Sequence, residues 1–187
     1  MQLVARGSQD KYISVEPEIT FFKAHHRRHT NFATESIEQT FNGTASLGGR
    51  VSATISRNGD LVHTMWLEVE SDADLTGLTS YDLIKQISVE IGGTRVDRQT
   101  GAFMKIAHDL STPAGKRANL DACLGADAAN KYLIPLSFWF CKDAGQALPL
   151  IALQYHEVKV VVEFGSLAVQ DAKLWVDYIY LDTEERK

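Results

Sequence analysis

The chain has 187 residues, of which 44% are hydrophobic and 23% charged, and its net charge is −5. Those values are ordinary for a soluble globular protein, and the length is enough for one domain with a substantial core. The acidic balance argues against a protein that coats itself with nucleic acid, which would carry a basic surplus.

The opening "MQLVARGSQDKY" has no apolar run of the kind a secretory signal needs, and no window approaches the ~18 apolar residues of a spanning helix. The expectation is a soluble chain made in a cytoplasm. "EITFFK" (18–23) and "TESIEQTF" (34–41) are rich in Thr, Ile and Phe and read as strands. "RVSATIS" (50–56) alternates, with Val51, Ala53 and Ile55 on one face. In "DLVHTMWLEVE" (60–70), Leu61, His63, Met65, Leu67 and Val69 fall on one face and Val62, Thr64, Trp66, Glu68 and Glu70 on the other. Asn58-Gly59 between these runs signals a type I′ turn, so the two strands are expected to pair as a hairpin. Gly92-Gly93 is a second hairpin signal, joining a strand with Leu83, Ile87, Val89 and Ile91 to a short return strand "TRVD".

The pattern changes between about 100 and 129. "GAFMKIAHDL" places Phe103, Ile106, Ala107 and Leu110 at helical spacing, while "AGKRANLDACLGADAAN" is Ala-rich and turn-rich. We expect one short helix followed by a long loop. Three more strands follow: "KYLIPLSFWF" (131–140), "LPLIALQYHEVKVVVEF" (148–164) and "AKLWVDYIYLD" (172–182). In the first, Tyr132, Ile134, Leu136, Phe138 and Phe140 share the core face and Trp139 points outward. In the last, Leu174, Val176, Tyr178 and Tyr180 oppose Trp175, Ile179 and Leu181. The fold class expected is all-β, an eight-stranded jelly-roll sandwich with the helix and loop inserted near 100–129.

The chemistry-bearing residues do not converge on a reaction. Along an extended strand His156 would join Val158, Val160, Val162 and Phe164, with Tyr155 and Glu157 facing the other way, so His156 and Glu157 cannot act on one substrate. In "HHRRH" (25–29) the adjacent His25-His26 diverge, without the H-x-H pair and downstream Glu of a metal-binding cupin. The segment reads instead as a cationic contact surface. Cys123 and Cys141 lack zinc-ligand spacing and are expected to be reduced. "NGT" at Asn42 fits a glycosylation sequon but has no secretory route. The glycines of "SLGGR" (46–50) and "EIGGTR" (90–95) precede no helix, so they mark turns and not phosphate cradles. No catalytic residue, metal or cofactor is assigned, and an enzyme is not expected.

Five phrases carry a resemblance: "ITFFKAHHRRHTNFATESIEQTFNG", "ISRNGDL", "VEIGGTRVD", "ALPLIALQYHEVKV" and "WVDYIYLDTEER". In this order they resemble the N-terminal jelly roll of the major capsid proteins of nucleocytoplasmic large DNA viruses, the algal-virus and iridovirus type. The resemblance runs from about Gln2 to Arg186. It implies a structural protein of an icosahedral capsid, a homotrimer whose capsomers touch one another and minor capsid proteins. It further implies an internal viral membrane nearby, no direct nucleic-acid contact, and assembly in the host cytoplasm into the virion. Residues 1–187 would form a single jelly-roll domain, the family's second roll being absent from this chain, which suggests the first half of a longer product. Phe21, Phe22, Arg27, Arg28, Phe32 and Trp139 are the candidate interface residues, chosen as aromatic and cationic groups without a catalytic arrangement. The alternatives are a single-roll vertex or minor capsid protein, and a carbohydrate-binding attachment module using the strip Trp66, Glu68 and Glu70.

Overall fold

The computed structural model describes residues 31–73, 75, 78–125, 130–183 and 186. The strand expected at 18–23, the "HHRRH" cluster, and Phe21, Phe22, Arg27 and Arg28 lie outside the described residues. Ala33–Tyr180 forms one compact unit; the chain ends belong to a second.

Among the described residues ten strands build two sheets: β1 (Phe32–Gln39), β2 (Phe41–Asn42), β3 (Arg50–Thr54), β4 (Leu61–Glu70), β5 (Ile84–Ile91), β6 (Thr94–Thr100), β7 (Lys131–Pro135), β8 (Leu148–Pro149), β9 (Val158–Phe164) and β10 (Asp171–Leu181). One sheet has the order β1-β10-β4-β7 with β8 also on β4, and the other β2-β3-β9-β5-β6. With the two-residue strands β2 and β8 set aside, eight strands remain, four in each sheet. The chain crosses between sheets at nearly every connection, and only β5 and β6 are neighbours both in sequence and in a sheet among these eight. That order is the jelly roll, a double-sheet sandwich. Its inner faces meet in a core whose largest fully buried side chains include Tyr178, Phe138, Phe140, Phe164, Met65 and Leu67.

Period-2 alternation explains most of this burial. Val51, Ala53 and Ile55 are buried, as are Leu174, Val176 and Tyr178, and Tyr132 and Ile134; the strand expected at 131–140 stops at Pro135, and Leu136, Phe138 and Phe140 are buried from the segment and 3-10 turn that follow it. In β4 the expected face fails in its first half. Val62 and Met65 are both fully buried, while His63 and Leu61 are only half-buried. The pairing with β10 steps from Val176↔Met65 to Tyr178↔Val62, so two residues of β10 span three of β4. This bulge inserts one residue and reverses the facing of everything before it.

Asn58-Gly59 does not make a hairpin. β3 and β4 lie in different sheets, and neither Asn58 nor Gly59 has the positive φ a type I′ turn requires. Gly59 is needed for space instead: a Cβ there would stand 2.8 Å from Cβ of Tyr178. Gly92-Gly93 does form the expected hairpin, with φ of 58° and 81° and with Ile91 opposite Thr94.

Two helices fill the β6–β7 connection, where a helix and a loop were expected. These are α1 (Gly101–Ser111) and α2 (Ala114–Leu124). Thr100 caps α1, its hydroxyl accepting the N–H of Phe103 at 3.3 Å. α2 follows Pro113 and is rich in Ala, Lys, Arg and Leu, good helix formers, but buries none of its residues. Without an apolar stripe it leaves no periodic signal in the sequence. Residues 148–164 are also not one strand. Between β8 and β9, Leu150–Tyr155 form consecutive turns that end in a bend at His156. Arg57 holds these turns, its guanidinium donating to the carbonyls of Leu153 at 2.6 Å and His156 at 3.1 Å and to that of Gln154.

Candidate subunit-contact surface

β1 runs into β2 through Thr40 alone, and each ends its sheet among the described residues, so the two share one flank of the sandwich. The opposite flank carries β6, the outer strand of one sheet, then α1 and α2, then β7 in the other sheet. β6 pairs only with β5 among the described residues, which leaves its other edge open. Six of its seven residues are not buried; Val96 is 54% exposed, and Arg95 and Arg98 project from the same exposed strand.

α1 presents two unlike faces. Gly101, Met104 and His108 turn inward. Gly101 can do so because it lacks a side chain: a Cβ would meet the carbonyl oxygens of Tyr81 and Ile84 at 2.2 and 2.3 Å. The other face carries the stripe recognised in the sequence, with Phe103 53%, Ile106 56% and Leu110 83% exposed. Positions i, i+3 and i+7 line up on one side of a helix. In a monomer such a stripe would normally face the core; its exposure makes it a candidate contact surface.

The outer face of the β1-β10-β4-β7 sheet is different. Glu68 accepts the indole N–H of Trp175 at 2.8 Å and pairs with Lys131 at 3.1 Å, while Lys173 reaches Glu38 at 3.6 Å. Burial alone would raise the Glu68 carboxyl, but the bond from Trp175 and the charges of Lys131 and Lys173 outweigh it and hold it below its usual range. The strip of Trp66, Glu68 and Glu70 therefore has its central carboxylate engaged within the sheet rather than held open for a sugar.

Of the expected interface residues, Phe32 begins β1 and is 68% exposed. Trp139 lies half-buried in a 3-10 turn (Trp139–Cys141), edge-on to Phe140 with centroids 4.9 Å apart. Tyr155, His156 and Glu157 sit at the exposed end of the β8–β9 turns, so the strand argument about their facing does not apply. The Nδ1 of His156 would meet a Cβ at Gly92 at 2.7 Å, which places this histidine against the β5–β6 hairpin. Among the described residues no group of three or more His, Cys, Asp or Glu side chains is placed to hold a metal ion. Cys123 and Cys141 are both free thiols, and burial pushes Cys141 up to about 12. The stripe of α1 was visible as a helical repeat; that it faces outward was not.

A family model described as "Major capsid protein N-terminus" matches residues 20–182. The major capsid protein of Pyramimonas orientalis virus is 46% identical over 213 residues, covering all of this chain and 54% of that protein. The major capsid protein of Paramecium bursaria Chlorella virus 1 is 40% identical, covering 99% of this chain and 48% of the relative. The chain thus spans about half the length of the curated relatives it matches. Among solved structures, that of PBCV-1 VP54, fitted into a reconstruction of the virophage Sputnik, superposes with a TM-score of 0.76 at 35% identity, covering 89% of this chain and 46% of that one. The Faustovirus major capsid protein shares the fold with a TM-score of 0.70 at 11% identity, over 92% of this chain and 58% of that one.

Proposed function

The chain belongs to the major capsid protein family, matched through the part that family's model describes as its N-terminus, and on that premise we propose that it is a structural, non-enzymatic building block of an icosahedral viral capsid. The observation that carries the proposal is a match over residues 20–182 together with a jelly roll that superposes on PBCV-1 VP54 at 35% identity. On this reading residues 1–187 are one jelly-roll domain, the first of a longer product, and the working unit is a homotrimeric capsomer. Its partners are other copies of itself and minor capsid proteins, with an internal viral membrane nearby and no direct hold on nucleic acid. It is assembled in the host cytoplasm and ends in the virion. The net charge of −5 supports a shell that does not grip packaged DNA.

The flank of β6 and α1 is the contact surface that this proposal favours. It combines an open strand edge with an apolar stripe and arginines, groups that interfaces favour. Phe32 and Trp139, and with them Phe21, Phe22, Arg27 and Arg28, remain secondary candidates. Native mass spectrometry on particles tests the proposal. The expected result is a subunit more than twice the 20.8 kDa of this chain in a threefold complex. A 20.8 kDa subunit found only as a monomer would overturn it.

A further inference from the structure

Two Asn-Gly pairs, Asn42-Gly43 and Asn58-Gly59, carry a chemistry that capsid assembly does not use. An asparagine amide is a labile group, and a following glycine, having no Cβ, leaves its backbone nitrogen open to approach that amide. The fold treats the two pairs differently. Asn42 stands in β2, opposite Ser52 of β3, so the ladder holds its backbone extended. Asn58 is exposed and lies outside every helix and strand, in the β3–β4 connection, and Gly59 follows in a bend. Among the described residues neither the Asn58 side chain nor the Gly59 N–H has a hydrogen-bond partner.

The residues on either side of this pair are tied down. The Ser56 N–H donates to Gln39 Oε1 at 2.9 Å, and the Ser56 carbonyl accepts the Tyr178 hydroxyl at 2.7 Å. On the far side the Asp60 N–H donates to the carbonyl of Ile179 at 3.0 Å. Arg57, next to Asn58, donates to the carbonyls of Leu153, Gln154 and His156. Gly59 is pressed against β10, where even a Cβ would stand 2.8 Å from Cβ of Tyr178. The span from Ser56 to Asp60 is therefore fixed in length and has no spare room beside Gly59.

We propose that Asn58-Gly59 is a site of spontaneous covalent modification whose isoaspartate product frees Arg57 from the β8–β9 turns. The Gly59 nitrogen, giving its proton to solvent, attacks Cγ of Asn58. An N–Cγ bond forms, the Cγ–Nδ2 bond breaks, and Nδ2 leaves as ammonia with a proton taken from solvent. Water then opens the cyclic imide at either carbonyl. Opening at Cγ gives aspartate. Opening at the main-chain carbonyl gives isoaspartate, whose chain runs through Cβ and Cγ and is longer by a carbon. Water enters, ammonia leaves, and nothing is oxidised or reduced. With Ser56 and Asp60 tied and Gly59 against Tyr178, the added carbon has to be taken up at Arg57. The new carboxylate also competes with the carbonyls for its guanidinium. None of this depends on the assembly proposed above.

Ageing the full chain at mildly alkaline pH, with peptide mapping against time, tests the first half. Conversion at Asn58 is expected to outrun that at Asn42 by about fivefold or more, because Asn42 must first break a ladder hydrogen bond. Hydrogen exchange of residues 150–156 tests the second half. It is expected to be faster in the isoaspartate form than in fresh protein. Asn58→Asp, which carries the charge on a backbone of ordinary length, should lie between the two. A protein isoaspartyl methyltransferase, which rebuilds the imide and so drains isoaspartate into aspartate, should return the aged protein to the Asn58→Asp rate. No conversion at Asn58, equal conversion at Asn42, or unchanged exchange of 150–156 in the isoaspartate form would overturn the proposal.

Discussion

Glu68 shows how one residue links a strand to its neighbours. It stands on β4, opposite Lys173 of β10, with Lys131 of β7 on its other side. Because its carboxyl is held below the usual range in the folded state, the stabilisation is present above the ordinary carboxylate pKa and is lost as pH falls through the folded value. Glu68→Gln is therefore expected to cost about 1 kcal/mol at pH 7 and less at pH 3 than at pH 7. Urea denaturation at the two pH values checks this; a gap that widened in acid would reverse the sign. The alternation of β4 made Glu68 legible as an outward residue. Its partners were not, since Lys131 and Trp175 are far away in sequence and only the sheet order brings them together.

At the scale of elements, the two turn signals of the sequence met different fates. Gly92-Gly93 joins strands that are sheet neighbours, and both residues take the left-handed region that glycine tolerates. Asn58-Gly59 joins strands of opposite sheets, where a tight turn has nothing to pair. Asn58→Ala should accordingly shift stability by no more than about 0.5 kcal/mol, because Asn58 is exposed and not in a positive-φ conformation. Gly93→Ala, with φ at 81° and open space around it, should cost about 1–2 kcal/mol through backbone strain alone. Chemical denaturation of both variants separates a hairpin glycine from a linker asparagine. The helices split in the same way. α1 announced itself by periodicity, whereas α2 has no buried face and so nothing periodic to announce.

At the scale of the whole molecule, the sandwich leaves one flank apolar and open. If that flank joins copies, Phe103→Asp with Ile106→Asp should leave the melting temperature within a few degrees, since both side chains are more than half exposed. The same pair should lower the yield of assembled capsomers at least about tenfold, as loss of two interface anchors would. Analytical ultracentrifugation of the full-length product reads both oligomer and monomer. Unchanged assembly would move the contact elsewhere, with the half-buried Trp139 and exposed Phe32 as the next candidates.

The sequence by itself determined that the protein is all-β, which residues of β3, β7 and β10 face inward, and that β5 and β6 form a hairpin. These are local properties, carried by side chains two residues apart or by glycines that must take a positive φ. Its five ordered phrases also carried the family resemblance. Only the tertiary structure decided that β3 and β4 belong to different sheets, that a bulge against β10 reverses the first half of β4, and that Arg57 pins the β8–β9 segment into turns. It alone turned the stripe of α1 outward. Each of these depends on contacts between residues distant in the chain, and pairing across such distances is not encoded in the periodicity of any one segment.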